Sequence, residues 1–133
     1  MSNFVYDKAA GALWGADIAY DTDNIKAVLV DTGLYSVSKT NDEFLSDIAA
    51  GARVATTSNL LSKTITGRVI DAADPVFTAV TGNESEALVI YQDSGSDATS
   101  RVIIYVDTAT NLPVTPNGTD ITVIFNASGI ATL

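Results

Sequence analysis

The chain has 133 residues, 47% of them hydrophobic and 17% charged, and it contains neither cysteine nor histidine. Their absence excludes a disulfide framework, a thiolate nucleophile, a cysteine zinc site and a Ser–His–Asp relay. Sixteen acidic and seven scattered basic residues give a formal net charge of −9. This charge argues against direct nucleic-acid binding, because a phosphate backbone needs a clustered basic surface.

Two helices are predicted in the first half of the chain. The first covers residues 4–14, where apolar side chains recur at helical spacing. Asn3 is its expected N-cap and Gly15 its expected end. The second, shorter helix is predicted over residues 41–49, because residues 40–43 have the form of a capping box.

The rest of the chain is predicted to be β, because Val, Ile, Thr and Tyr occur in short runs separated by Gly, Asn, Asp or Pro. The predicted strands are Ile25 to Asp31, Arg53 to Thr57, Leu60 to Thr66, Val76 to Val80, Glu86 to Gln92, Arg101 to Asp107, Asp120 to Phe125 and Ile130 to Leu133. A hairpin loop is predicted at residues 93–97 and a turn at residues 115–118.

Three of these strands lack the usual alternation of apolar and polar residues. Residues 27–30, 88–91 and 102–106 are apolar at every position, so both faces of each strand need cover. Two small helices cannot cover both faces of a large sheet. The predicted fold is therefore mainly β, a single-domain β-sandwich or barrel over residues 1–133 with one N-terminal helix and one short helix. A neighbouring subunit is a further source of cover.

Pairs of carboxylates are the main candidates for metal or catalytic sites. Asp21 and Asp23 begin like a calcium-binding loop, but Lys26 stands where that loop needs glycine and Thr32 where it needs glutamate. Turn formation explains these aspartates better. Turns also contain the other two pairs, Asp71 with Asp74 and Asp93 with Asp97. We therefore predict no catalytic residue, no metal site, no cofactor and no enzymatic activity.

Aromatic and asparagine side chains are the remaining candidates. Trp14 and the five tyrosines have rings that stack on sugars, but isolated aromatic residues are more often part of the core. Asn83, Asn117 and Asn126 match the glycosylation acceptor pattern. The start of the chain does not have the form of a secretory signal, so these matches are interpreted as chance. The apolar runs are too short to span a bilayer, and no membrane partner is expected.

Collinear blocks over nearly the full length resemble a known family. The blocks are Met1–Lys8, Asp23–Thr32, Phe44–Ile48, Gly51–Thr56, Asp74–Gly82, Glu86–Tyr91, Thr99–Arg101 and Asp107–Gly118. In this order they resemble a family of small virion-associated proteins of tailed bacteriophages. Residues 125–133 depart from the ending typical of that family.

The resemblance implies a structural virion protein, assembled into the particle in the host cytoplasm. The expected role is that of a capsid decoration or cement protein that binds the major capsid protein as a homo-oligomer, with a trimer favoured. One alternative is a tail, neck or baseplate component bound to other virion proteins. The other alternative is a module that binds host glycans or a receptor, with Trp14 or Tyr105 stacked on a sugar ring.

Overall fold

The computed structural model describes residues 3–133, so Met1 and Ser2 of the first sequence block lie outside the described residues. The fold is mainly β, as predicted, with 31% strand and 11% helix. The α-helix is α1 (Asp7–Trp14). The strands are β1 (Phe4–Val5), β2 (Ile25–Val30), β3 (Arg53–Thr56), β4 (Thr64–Thr66), β5 (Val69–Asp71), β6 (Val76–Phe77), β7 (Ala87–Gln92), β8 (Val102–Val106), β9 (Ile121–Thr122) and β10 (Ala131–Thr132).

The strands form three antiparallel sheets. The largest has the order β1-β8-β7-β2-β3, with β7 at its centre. A second sheet has the order β10-β5-β4, and β6 pairs with β9 in the third. No helix of the described part of the chain is long and apolar enough to cross a membrane.

The three central strands are buried on both faces, as their sequence predicts. Every residue of the segments 27–30, 88–91 and 102–106 is at most 6% exposed. These residues belong to one hydrophobic core cluster together with residues of α1 and of the smaller sheets. A single chain therefore supplies cover for both faces of β2, β7 and β8.

The register of the central strands separates an aliphatic face from an aromatic face. Residues directly opposite each other share a face, and neighbouring rows alternate between the two faces. One row consists of Leu29, Leu88 and Val106, and the next row, on the opposite face, of Val28, Val89 and Tyr105.

A series of hydrogen bonds between side chains links the connection between β2 and β3 to the aromatic face. Phe4 stacks on Tyr105 with ring centroids 5.2 Å apart, and Tyr6 contacts Phe4 edge-on at 5.4 Å. The Tyr6 and Tyr35 hydroxyls are 2.9 Å apart, and Tyr35 donates to the carboxylate of Asp42 at 2.5 Å. Burial raises the pKa of both hydroxyls, so both remain protonated donors.

The N-terminal helix begins later than predicted. Phe4 and Val5 form β1, which pairs with the edge of β8 and places Phe4 opposite Tyr105. Asn3 does not cap the helix, because its side chain bonds to the backbone of Asp107 and Thr108 at the end of β8. Pairing of β1 with β8 buries apolar surface of Phe4 and Val5 that would stay exposed if these residues formed an extra helical turn.

The second predicted helix, over residues 41–49, is wrong. Two 3₁₀ turns, Leu45–Asp47 and Ala50–Ala52, occupy this region. The Asp47 carboxylate accepts the backbone amides three and four residues before it, at 3.0 and 2.8 Å. Such local bonds compete with a helix for the same backbone donors.

The smaller strands are shorter than predicted, and two were not predicted. The predicted strands at 60–66, 76–80 and 120–125 contract to β4, β6 and β9. The strands β1 and β5 lack a strand signal of their own because each has only two or three residues. The predicted loop at 93–97 lies in the connection between β7 and β8.

Gly129→Ala tests the packing between the last connection and β5. A Cβ at Gly129, where φ is +118°, would lie 2.3 Å from a methyl of Val69. We expect a loss of ~2–4 kcal/mol in the free energy of unfolding, measured by chemical denaturation, from backbone strain and overpacking together. Gly118→Ala is the matched control, because φ is +89° and nothing lies within 4 Å. It should cost only ~1 kcal/mol, and equal losses would contradict the steric explanation.

Candidate interaction surface

Three of the candidate aspartates serve as hydrogen-bond acceptors, both for nearby amides and for amides distant in sequence. Asp23 accepts the backbone amide of Ala19 at 2.8 Å and the side-chain amide of Gln92 at 2.6 Å. Asp71 and Asp74 each accept one backbone amide at 2.9 Å. The interpretation as a turn former is confirmed for Asp23, whereas Asp71 ends strand β5 and Asp74 accepts the amide of Phe125, which is distant in sequence. Among residues 3–133, no group of three or more His, Cys, Asp or Glu side chains is placed to hold a metal ion.

Asp93 and Asp97 form ion pairs with two different basic side chains. Asp93 pairs with Lys26 at 2.7 Å, whereas Asp97 pairs with Arg53 at 3.1 Å. The hydrogen bond from Lys26, followed by that from the Gly95 amide, holds the pKa of Asp93 below its ordinary value of 3.8. The same bond to Asp93 raises the pKa of Lys26 above 10.5. The two carboxylates therefore do not form one site.

The tyrosines are part of the core. All five are at most 6% exposed, which confirms their interpretation as core residues. Tyr105 lies against Phe4 inside the fold. It is therefore not available to stack on a glycan, and that part of the glycan hypothesis is wrong.

Trp14 is the opposite case, because its side chain is 84% exposed. The interpretation of Trp14 as core is therefore wrong. The helix α1 buries Ala9 and Ala12. A residue two positions after Ala12 is rotated by about 200° around the helix axis and so points away from the core. Gly15 ends the helix as predicted, and its amide bonds to the carbonyl of Gly11 at 2.9 Å.

Trp14 forms one wall of a groove of about 670 Å³, which we call the Trp14 groove. Most of the lining is apolar. The apolar side chains besides Trp14 include Leu13, Ile18, Tyr20, Ile65, Ile70 and Leu133. The Tyr20 hydroxyl donates to the Asp71 carbonyl at 3.2 Å, so its ring is held in place.

Two unpaired charges also line the Trp14 groove. Asp21 and Arg68 are exposed, and neither side chain forms a hydrogen bond or ion pair with any other residue of the described part. Tryptophan and arginine are the residues most enriched among those that dominate protein–protein affinity. An exposed aromatic beside a concave apolar floor and free charges is the composition of a binding surface.

The sequence did not reveal this groove. Its walls come from residues 10–21, 65–70 and 133, which only the fold brings together. The one sequence signal for the exposed position of Trp14 was the pair of alanines Ala9 and Ala12. These small residues, and not the large ones, form the buried face of α1.

Comparisons with known proteins do not assign a function to this surface. The chain matches no protein-family model, and it matches no curated protein.

Asp93→Asn tests the ion pair with Lys26. Both side chains are about three-quarters buried, and we expect a loss of ~0.5–1 kcal/mol in the free energy of unfolding at pH 7. The lowered pKa of Asp93 means that the contribution is lost as the pH falls below 3.8. The raised pKa of Lys26 means that the contribution of the ion pair to stability is also lost as the pH rises above 10.5.

Denaturation of wild type and Asp93→Asn across this pH range measures the difference. Asp21→Asn is the control, because Asp21 has no ion pair within residues 3–133. Its stability should stay within ~0.5 kcal/mol of wild type. A difference for Asp93→Asn that does not shrink as the pH falls below 3.8 would contradict the assignment.

Proposed function

We propose that this chain is a structural protein of a tailed-bacteriophage particle, a decoration or cement protein that binds the major capsid protein through the Trp14 groove. The observation that carries the proposal is Trp14 itself, an 84% exposed side chain at the end of a packed helix. The collinear sequence blocks supply the link to phage particles. The core is covered within one chain, so the exposed tryptophan is available to a partner.

The partner surface is defined by the chemistry of the groove. The apolar floor fits an aliphatic or aromatic side chain of the capsid protein, and Asp21 at the rim fits a neighbouring lysine or arginine. The chain carries a net charge of −9, which favours a basic docking surface and repels packaged DNA. Binding should therefore weaken as the salt concentration rises.

A glycan-binding module is the second candidate function. An exposed indole ring is suited to stack on a sugar, and Trp14 offers one beside polar groups. Tyr105 no longer supports this candidate because it is buried. Binding of the purified chain to host-surface glycans, lost in Trp14→Ala, would favour this function over the capsid role.

The ratio of this chain to the major capsid protein in purified particles tests the location. A ratio near one copy per capsid subunit supports decoration or cement. A few copies per particle would instead indicate a tail, neck or baseplate component. Absence of the chain from purified particles would contradict the proposal as a whole.

Trp14→Ala tests the binding surface. Because the side chain is 84% exposed, the free energy of unfolding should change by less than ~0.5 kcal/mol. Binding to particles that lack the chain, measured by co-sedimentation, should weaken roughly 30-fold, corresponding to the ~2 kcal/mol or more typical of a buried tryptophan anchor. Leu61→Ala is the matched control, since Leu61 is 71% exposed and lies outside the groove. Equal binding by both variants would contradict the role of the groove.

A further inference from the structure

The strand β4 has an open edge. In the order β10-β5-β4, and counting the strands of residues 3–133, β4 is hydrogen-bonded to β5 alone. All three of its residues are exposed, and the side chain of Ile65 lines the Trp14 groove. An exposed edge is a template for another extended strand.

The main chain of Ile65 points away from β5. Thr66 and Val69 close a two-residue loop, and the residues that close such a loop form a hydrogen-bonded pair. Hydrogen-bonded and non-hydrogen-bonded pairs alternate along an antiparallel ladder, so Ile65 and Ile70 form a non-hydrogen-bonded pair. The direction of the Ile70 carbonyl supports this pair type. It points to the β10 side of β5, where it accepts a hydrogen bond from the amide of Ile130 at 2.8 Å. The amide and carbonyl of Ile65 therefore face the open edge.

The lysine nearest to this edge does not protect it. Charged side chains, especially lysine, commonly prevent edge strands from pairing. Lys63 directly precedes β4, but its ammonium donates to the backbone carbonyl of Asp23. The edge is left with the uncharged residues Thr64, Ile65 and Thr66.

We propose that β4 pairs with β4 of a second copy of this chain, antiparallel about a two-fold axis at Ile65. Each Ile65 amide then donates to the Ile65 carbonyl of the other copy. The product is one six-stranded sheet with the order β10-β5-β4-β4-β5-β10. This pairing does not depend on the proposed capsid role, and it gives a dimer instead of the trimer that the sequence resemblance favours.

The two-fold register is compatible with the charges of both copies. It places Lys63 opposite Gly67 and Arg68 opposite Ser62, so no two cations face each other directly. No carboxylate occurs in residues 48–70, which include the paired edge. Two chains that each carry a charge of −9 can therefore approach through this edge with less repulsion than through their acidic regions.

The same pairing covers exposed apolar surface. Residues opposite each other share a face, so Ile65 and Ile70 lie on the same face, at the Trp14 groove. In the dimer the row across the sheet becomes Ile70, Ile65, Ile65 and Ile70. The two grooves join into one apolar surface with a Trp14 near each end. The second copy uses the sheet edge, so the face of the groove stays available to another partner.

Oxidative cross-linking tests the register. The two Ile65 Cα atoms of a hydrogen-bonded pair lie about 5.5 Å apart, within the range that a disulfide spans. The chain has no cysteine, so Ile65→Cys introduces a single thiol. We expect mild oxidation to convert this variant largely to a covalent dimer. Thr66→Cys is the control, because its two-fold mates lie more than ~7 Å apart and should not cross-link. Equal cross-linking of both variants would overturn the register.

Ile65→Pro tests the main-chain contact. It removes the outward amide together with the Ile65 side chain and leaves the hydrogen bonds of Thr64 and Thr66 to β5 in place, since proline is tolerated where an edge strand faces solvent. Sedimentation velocity should show dimers for wild type and Ile65→Val and monomers for Ile65→Pro, and Ile65→Pro should still unfold in one cooperative transition. Wild type that stays monomeric at all concentrations, or dimeric Ile65→Pro, would overturn the pairing. Monomeric wild type whose attachment to phage particles is abolished by Ile65→Pro would assign the edge to a strand of the capsid protein instead.

Discussion

The fold depends on one constraint, which is that β2, β7 and β8 are apolar on both faces and must be covered on both. The register divides their side chains into an aliphatic and an aromatic face. The connection that carries Tyr35 and Asp42 contacts the aromatic side, where burial and hydrogen bonding lock the tyrosines in place. Because burial of this surface is the dominant favourable contribution to folding, the positions of the loops and small sheets follow from it.

The same constraint explains why the surface features lie where they do. The helix α1 meets the core through Ala9 and Ala12, which allow a close approach and turn Trp14 outward. The second sheet ends at β4, whose outer edge has no strand beside it within residues 3–133. The exposed tryptophan and the open edge meet at Ile65, so the groove and the edge form one continuous surface.

Continuous apolar runs made the central strands predictable from sequence. The bounds of β2 and β7 agree with the predictions to within one residue at each end, because short apolar runs rich in Val and Ile and bounded by turn residues are typical of buried strands. The helix predicted over residues 41–49 failed because the Asp47 carboxylate binds local amides, which periodicity does not show. The start of α1 failed because Phe4 stacks on Tyr105, a partner about a hundred residues away. The Trp14 groove was beyond prediction for the same reason, since its walls are distant in sequence.

One chain covers both faces of its own central strands. Hydrogen exchange tests this cover most directly, measured by NMR on the backbone amides of β2, β7 and β8 over a series of protein concentrations. Self-contained cover predicts that these amides exchange slowest and only through global unfolding of the chain. It also predicts that dilution, which separates any oligomer, changes their exchange only by as much as it changes the free energy of global unfolding. Exchange in these strands that becomes faster than global unfolding on dilution would show that a neighbouring subunit supplies part of the cover, and would contradict self-contained burial of the core.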